Sequence, residues 1–462
     1  MQFLKVFIFI LFSLILSPAQ SETEILQFKA RIGFTETDSR IVAQKFFDGD
    51  RKLVLIGKKT IQFWDVPNAR LIETRLHEIP DLEKFDTIVT ISPDAKKAIV
   101  LDSFNWRLIR KEKKVSASAY DLQTGKLLTV LQRPNESIRD AEWSENGKTL
   151  VTYSEILNDK RTEICFWNGD DFTFRASILL KGNLGLRFLS KDGERFFSSA
   201  ENAVKFLTSY KYERNTAVWN TKNGKVEQNF NSNFGRENPN VYSFPQPLSP
   251  NGKFLIAPSQ GRISVWQIGV SDLPKYIITA AEEDKWFLFK GFSDDGRFVI
   301  AFQNKTLEFY DVETGKLETS LPNTKSYESV KLLADGKTLV MKNCDRADIF
   351  NLKTQQKLYE IKLVCKEDFS LLGSSLRDVD VLRFHPNLPF LLTYSDKTVR
   401  VWNVENGALV QTIIDPNRIE NKRKDNNKDD GLGRAASWII NGEYLFASGA
   451  DGKTILLWEI KK

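Results

Sequence analysis

From about residue 40 to the C-terminus, apolar residues fall into short β-rich runs divided by clusters of Asp, Asn, Gly, Pro and Ser, and no helical period is sustained. One order recurs: an apolar strand, a tight polar turn, and a second apolar strand. It appears as FFDGDRKLVLI, TISPDAKKAIV, EWSENGKTLVT, FLSKDGERFFS, PLSPNGKFLIA, GFSDDGRFVIA, KLLADGKTLVM, RFHPNLPFLLT and SWIINGEYLFA. The Asp-Gly, Asn-Gly and Pro-Asn cores are hairpin chemistry, because Gly and Asn tolerate the positive φ of such turns. After each pair comes a third strand that ends on an aromatic, a short turn, and a fourth strand. The pattern predicts a repeating unit of four antiparallel strands, a to d.

The aromatic at the end of strand c keeps the period: Trp64, Tyr120, Trp167, Trp219, Trp266, Tyr310, Phe350, Trp402 and Trp458. Six of the ten tryptophans hold this one position, so the period is structural. The clearest echo is YDLQTGKL at 120–127 against YDVETGKL at 310–317. Both are predicted c–d turns, in which Gly125 and Gly315 supply φ freedom while Asp and Thr side chains satisfy backbone groups.

Strand c ending in Trp-Asp or Trp-Asn, followed by a turn and GKLL, resembles the WD40 family of β-propellers over nearly the whole chain. The segment DKTVRVWNV (396–404) is the best single match, with Asp396 in the b–c loop. The Gly-His pair that many members carry before strand a is missing here, and several anchors are Tyr or Phe. The resemblance implies an all-β fold: a single closed β-propeller of four-stranded antiparallel blades across 22–462, with nine blades or eight. It also implies a non-catalytic, protein-binding role. Residues 24–34 (EILQFKARIGF) form a spare strand, and the chain stops at strand c of the ninth repeat. The spare strand is therefore expected to complete the last blade and remove two exposed sheet edges.

In such a blade the a–b and c–d turns share one face and the b–c and d–a loops the other. The first face reads as uniformly tight. The second carries the insertions 103–114, 155–162, 201–214, 231–241, 269–285, 366–380 and 414–435. Rigid scaffolds place binding residues on such loops. Two clusters stand out: Trp106 with Arg107, Arg110, Lys111, Lys113 and Lys114, and Tyr210, Lys211, Tyr212 and Arg214. Both mix aromatics with cations, as binding hot spots do, although solvated loop tips have the same composition.

Composition narrows the rest. A net charge of +6 over 462 residues is too small for a general nucleic-acid binder. Residues 1–21 read as a signal peptide: Lys5, an apolar run over 6–16 too short to span a bilayer, then small residues at Ser17, Ala19 and Ser21. An exported monomer is expected, periplasmic or secreted and bacterial in character, with no transmembrane segment in the mature chain. Only two histidines are present, His77 and His385, so no metal site or cofactor is expected. No Gly-x-Ser-x-Gly occurs, and the Gly-Lys-Thr triplets lack the earlier Gly of a P-loop. A propeller that binds a small molecule, glycan or cofactor in its channel, as quinoprotein enzymes do, is the alternative. The inner strands quoted for it (IVTIS, VYSFP, VKLLA) are mostly apolar. Of the three cysteines, Cys344 and Cys365 flank one c–d hairpin and are expected to form a disulfide or to remain two thiols. Cys165 is expected to be a buried thiol.

Overall fold

The computed structural model describes residues 25–34, 40–80, 82, 87–101, 117–131, 137–156, 161–206, 209–230, 248–259, 261–271, 273–280, 287–322, 324, 327, 329–333, 335–343, 346–362, 383–395, 398–414, 436–449 and 451–461. The described residues form nine separate antiparallel sheets, taken in chain order with one closing exception. Each sheet is a blade, and its strands are named by blade number and letter. Blade 1 consists of Ala43–Phe47 (1a), Lys52–Ile56 (1b), Thr60–Asp65 (1c) and Arg70–Leu76 (1d). Blades 2 to 8 follow over 88–131, 137–181, 183–229, 254–279, 288–321, 329–362 and 383–413. Nine blades, and not eight, are present. Eight have four strands. Blade 5 has three, with an isolated bridge from Leu248 to Leu255 in the place of its a strand.

Strands a of successive blades lie side by side (1a with 2a, 2a with 3a, 6a with 7a, 8a with 9a), so a is innermost and d outermost. Strands b and c are buried on both faces, because each blade is sandwiched between two others. In 1b, Leu53, Val54, Leu55 and Ile56 are all fully buried. The core is accordingly a ring of inter-blade clusters. One example sets Phe298, Ile300 and Phe309 of blade 6 against Leu332, Leu339 and Met341 of blade 7. Each such buried side chain stabilises by about 1.5–3 kcal/mol.

All nine anchors lie on strand c. A buried indole must also satisfy its N–H, and strand b supplies the acceptor in three blades. Trp167 donates to Thr152 (2.9 Å), Trp219 to Ser198 (2.8 Å) and Trp402 to Thr393 (2.9 Å). In blade 1 the acceptor for Trp64 is Gln62, two residues back on the same strand, at 3.0 Å. The indole-to-hydroxyl link therefore persists although the Gly-His pair is absent.

The turns repeat as faithfully. In five a–b turns a serine hydroxyl donates to an Asp or Asn two residues on: Ser92–Asp94, Ser144–Asn146, Ser190–Asp192, Ser249–Asn251 and Ser293–Asp295. The same hydroxyl accepts the N–H five residues on, at 2.9–3.0 Å. In the octapeptides, Asp121 accepts the N–H groups of Gln123 and Thr124, and Asp311 those of Glu313 and Thr314. Gly125 and Gly315 sit at φ +70° and +71°. A Cβ on Gly125 would also lie 2.6 Å from the carbonyl oxygen of Leu76, where strand 1d leans on the turn of blade 2. The echo thus reports one geometry used twice.

Blade 9 closes the ring. Its sheet runs Leu26–Gly33, Thr454–Ile460, Tyr444–Ser448 and Ala436–Ile439, so the N-terminal strand is 9d. It pairs antiparallel with 9c, Leu26 opposite Ile460 and Gly33 opposite Thr454. Lys29 pairs with Glu459 at 2.6 Å, Arg31 donates to Thr454 at 2.9 Å, and Phe28 meets Trp458 edge-on.

Candidate interaction face and axial strands

The two ends of the ring differ. Every a–b connection is four or five residues long, and so is every c–d connection but one. The exception corrects the expectation of a uniformly tight face. Residues 269–285 are not one loop of the opposite face. Strand 5d (Tyr276–Thr279) lies within them, so the eight residues 268–275 form a long c–d turn on the tight side. The polar SDLPK sequence resembles a loop insertion, and a strand as short as YIIT is easily overlooked.

Two further insertions shrink. Strand 3b (Thr149–Ile156) and strand 3c (Arg161–Asn168) use up half of 155–162. Residues 201–214 are almost entirely strand: 4b is Arg195–Phe206 and 4c is Ser209–Asn220, paired from Arg195–Asn220 out to Phe206–Ser209. Strand 4a stops pairing with 4b at Glu201, and 4d reaches only Ala217 of 4c. The outer five rungs are therefore a two-stranded ribbon projecting roughly 16 Å on the b–c side. Tyr210 and Tyr212 occupy alternate positions on it, opposite Lys205 and Ala203, with Lys211 between them opposite Val204. Arg214 pairs with Glu201 at its base. Alternation places the two tyrosine positions on one side of the ribbon and the lysine position on the other.

Trp106, Arg107, Arg110, Lys111, Lys113 and Lys114 lie outside the described residues, as do 231–241, 366–380 and 415–435. The ends that these segments join, 2b to 2c, 4d to the Leu248 bridge of blade 5, 7d to 8a and 8d to 9a, all open onto the b–c/d–a side. Cys344 and Cys365 are likewise outside the described residues. Cys165 is a buried thiol on 3c.

Both histidines are engaged by backbone groups. His385 replaces the turn serine in blade 8. Its Nδ1 accepts the N–H groups of Asn387 (3.0 Å) and Leu388 (2.8 Å), so Nε2 carries the proton and donates to the carbonyl of Gly442 at 3.0 Å. His77 repeats the device, accepting from Ile79 and donating to Gly57. Among the described residues no group of three His, Cys, Asp or Glu is arranged to hold a metal. Also among them, no helix is long and apolar enough to cross a membrane.

The innermost strands are richer in charge than the three quoted from sequence suggest. Lys45 (1a), Arg139 (3a), Arg187 (4a), Lys290 (6a), Lys331 (7a) and Arg383 (8a) lie on them. Between blades 3 and 4, Arg187 stacks on the ring of Tyr153 at 3.9 Å and pairs with Asp140, while the Tyr153 hydroxyl donates to Glu142. Burial and the Glu142 carboxylate hold that phenol well above its ordinary pKa, so it stays a donor.

Comparisons with known proteins bear on one blade directly. The family model described as "WD domain, G-beta repeat" matches residues 369–403, which include strands 8a to 8c and most of the segment DKTVRVWNV. The crystal structure of the C-terminal WD40 domain of Sif2 superposes on 95% of this chain and 99% of that one, at 13% identity and a TM-score of 0.45. No curated protein sequence matches.

Proposed function

We propose that this chain, a nine-bladed β-propeller with a WD40-type repeat in its eighth blade, is an exported, non-catalytic platform that binds a protein partner through its b–c/d–a side. One observation carries the reading: the asymmetry between the two ends of the ring. All the longest connections and the projecting 4b–4c ribbon fall on one side, while the other is built almost wholly from turns of four or five residues. A scaffold that needed only stability has no reason to vary one side alone. Proteins of the WD40 family serve mostly as interaction platforms, which agrees with it. The N-terminal sequence supports export, to the periplasm or the exterior.

The binding residues are taken to be Trp106, Arg107, Arg110, Lys111, Lys113 and Lys114 together with Tyr210, Lys211, Tyr212 and Arg214. Charge reversal at Arg107, Arg110, Lys111 and Lys114 should abolish capture of partners from the native envelope or medium, with an unchanged melting temperature, because exposed loop charges contribute little to folding. Equal loss of capture from substitutions on the tight side, at Lys126 or Lys316, in a folded protein would refute the reading.

A further inference from the structure

Six Asn-Gly pairs stand at turns of the ring: Asn146-Gly147, Asn168-Gly169, Asn223-Gly224, Asn251-Gly252, Asn406-Gly407 and Asn441-Gly442. Asn168 is half-buried and the other five asparagines are exposed, so access does not separate them. Hydrogen bonding does. In the first five pairs the asparagine side-chain oxygen accepts the N–H two residues on, at 2.9–3.0 Å, as an Asx-turn. In the same five the glycine N–H donates to a backbone carbonyl at 2.8–2.9 Å.

The sixth pair has neither bond. Among the described residues the Asn441 side-chain amide meets no hydrogen-bond partner, and neither does the Gly442 N–H. The cause is local. The 9a–9b turn has four residues (440–443) where the serine turns have five, and it closes with the Glu443 N–H donating to the Ile440 carbonyl at 3.0 Å. That N–H is the one an Asx-turn at Asn441 would use. Ile440 and Asn441 are left at φ +51° and +52°, a conformation that strains any residue with a Cβ and a β-branched one most. Blade 8 holds only the carbonyls of the pair: Asn387 donates to that of Asn441 at 3.1 Å, and His385 to that of Gly442 at 3.0 Å. The two groups able to react with each other are unheld.

We propose that Asn441 is a site of spontaneous deamidation, selected by the fold over the five other Asn-Gly pairs. The Gly442 nitrogen attacks Asn441 Cγ. The N–Cγ bond forms, the Cγ–Nδ2 bond breaks, and ammonia leaves with the Gly442 proton. Water then opens the cyclic imide at either carbonyl, giving aspartate or isoaspartate. Glycine suits the attack because no Cβ crowds its nitrogen. The turn must open for that nitrogen to reach Cγ, and opening releases the strain at Ile440 and Asn441. In the five siblings, opening must first break two hydrogen bonds. Isoaspartate adds a methylene to the backbone of the turn and a free carboxylate beside it. The carbonyls that Asn387 and His385 reach are then displaced, so the modification loosens the junction between blade 8 and the closing blade. Nothing in this inference depends on partner binding.

The test ages the full chain at mildly alkaline pH and follows all six pairs in one mildly acidic digest. Mass spectrometry reads the amide-to-acid change, and chromatography separates the isoaspartyl peptides. With two hydrogen bonds fewer to break, Asn441 should react about tenfold or more faster than any sibling. In chain aged in denaturant the six rates should draw together, because every sibling has lost its bonds. Asn441→Gln, whose longer side chain closes a larger ring far more slowly, should keep its melting curve on ageing while the native chain gains a less stable fraction. Asn441 reacting no faster than its siblings overturns the proposal. So does a lead that persists unchanged in denaturant, since it would belong to the sequence and not to the fold. Matching melting curves for aged native chain and aged Asn441→Gln, once Asn441 has converted, overturn the effect on the junction.

Discussion

At the scale of single residues, the turns show how one position can be filled by different chemistry. His385 does the work of the turn serine, but an imidazole can be switched off by acid. Its Nδ1 accepts two backbone N–H groups, and a proton there abolishes both bonds. Burial holds its pKa below the ordinary histidine value. The unfolded chain therefore takes up the proton first. The stability His385 contributes is complete above the unfolded value of about 6.5, and it is lost as the pH falls through that value towards the folded one. The melting temperature should fall more steeply between about pH 7.5 and 5 in the native chain than in His385→Ser, which restores the sibling turn. Parallel curves would remove this histidine from the account. Glycines divide in the same way. Gly336, at φ +66° with nothing within 4 Å of a built Cβ, needs only its backbone freedom, so Gly336→Ala should cost about 1–2 kcal/mol. Gly125→Ala should cost more in the same denaturant titration, because the Leu76 carbonyl must also move.

At the scale of elements, what could be read from sequence depended on whether an element repeats. The nine anchors and the serine turns recur, so their places were legible, and so was strand 9d, whose surplus at one end matches a deficit at the other. Among the described residues the 4b–4c ribbon has no counterpart in another blade. Its strands, NAVKF and SYKYE, alternate too little to differ from a polar loop, and only pairing reveals them. Strand 9d also permits a direct test. Gln411 on 8d (Leu409–Ile413) accepts the N–H of Leu26 and donates to its carbonyl, both at 2.8 Å, tying the closing strand to the blade before it. Deleting residues 22–36 should give an aggregating, protease-sensitive product, since it bares 9c as an edge. Gln411→Leu should cost only about 1–3 kcal/mol, because it leaves that edge covered. A deletion variant that stays monomeric on size exclusion with an unchanged melt would sink the closure argument.

At the scale of the whole molecule, the period narrowed the blade number to nine or eight and the spare N-terminal strand pointed to the ring, whereas the charge on the innermost strands was not legible. Those cations fall on strands of two to seven residues, at positions that differ between blades: third from the turn in 1a and 6a, second in 7a and 8a. Only closure brings them round one axis. The proposed export belongs to the whole chain too, and its chemical mark would be a cross-link. Strands 7c and 7d pair Arg346 with Lys362, and the segments beyond them contain Cys344 and Cys365. Protein recovered from its own compartment should begin near residue 22 and yield a 344–365 disulfide peptide without reduction. A retained N-terminus with three alkylatable thiols would count against export and bridge together.

Closure also has a consequence in time. Lys29 and Glu459 meet across 430 residues of chain, yet the strand carrying Lys29 is made before every other strand of its blade. At synthesis rates of about 5–20 residues per second it waits on the order of half a minute for its neighbour. Until strand 9c arrives, every growing or truncated chain carries two raw edges, however many finished blades lie between them. Completeness is thus an all-or-none property that a protease or chaperone can detect from the outside. A chain broken off anywhere short of 9c cannot pass for a finished ring.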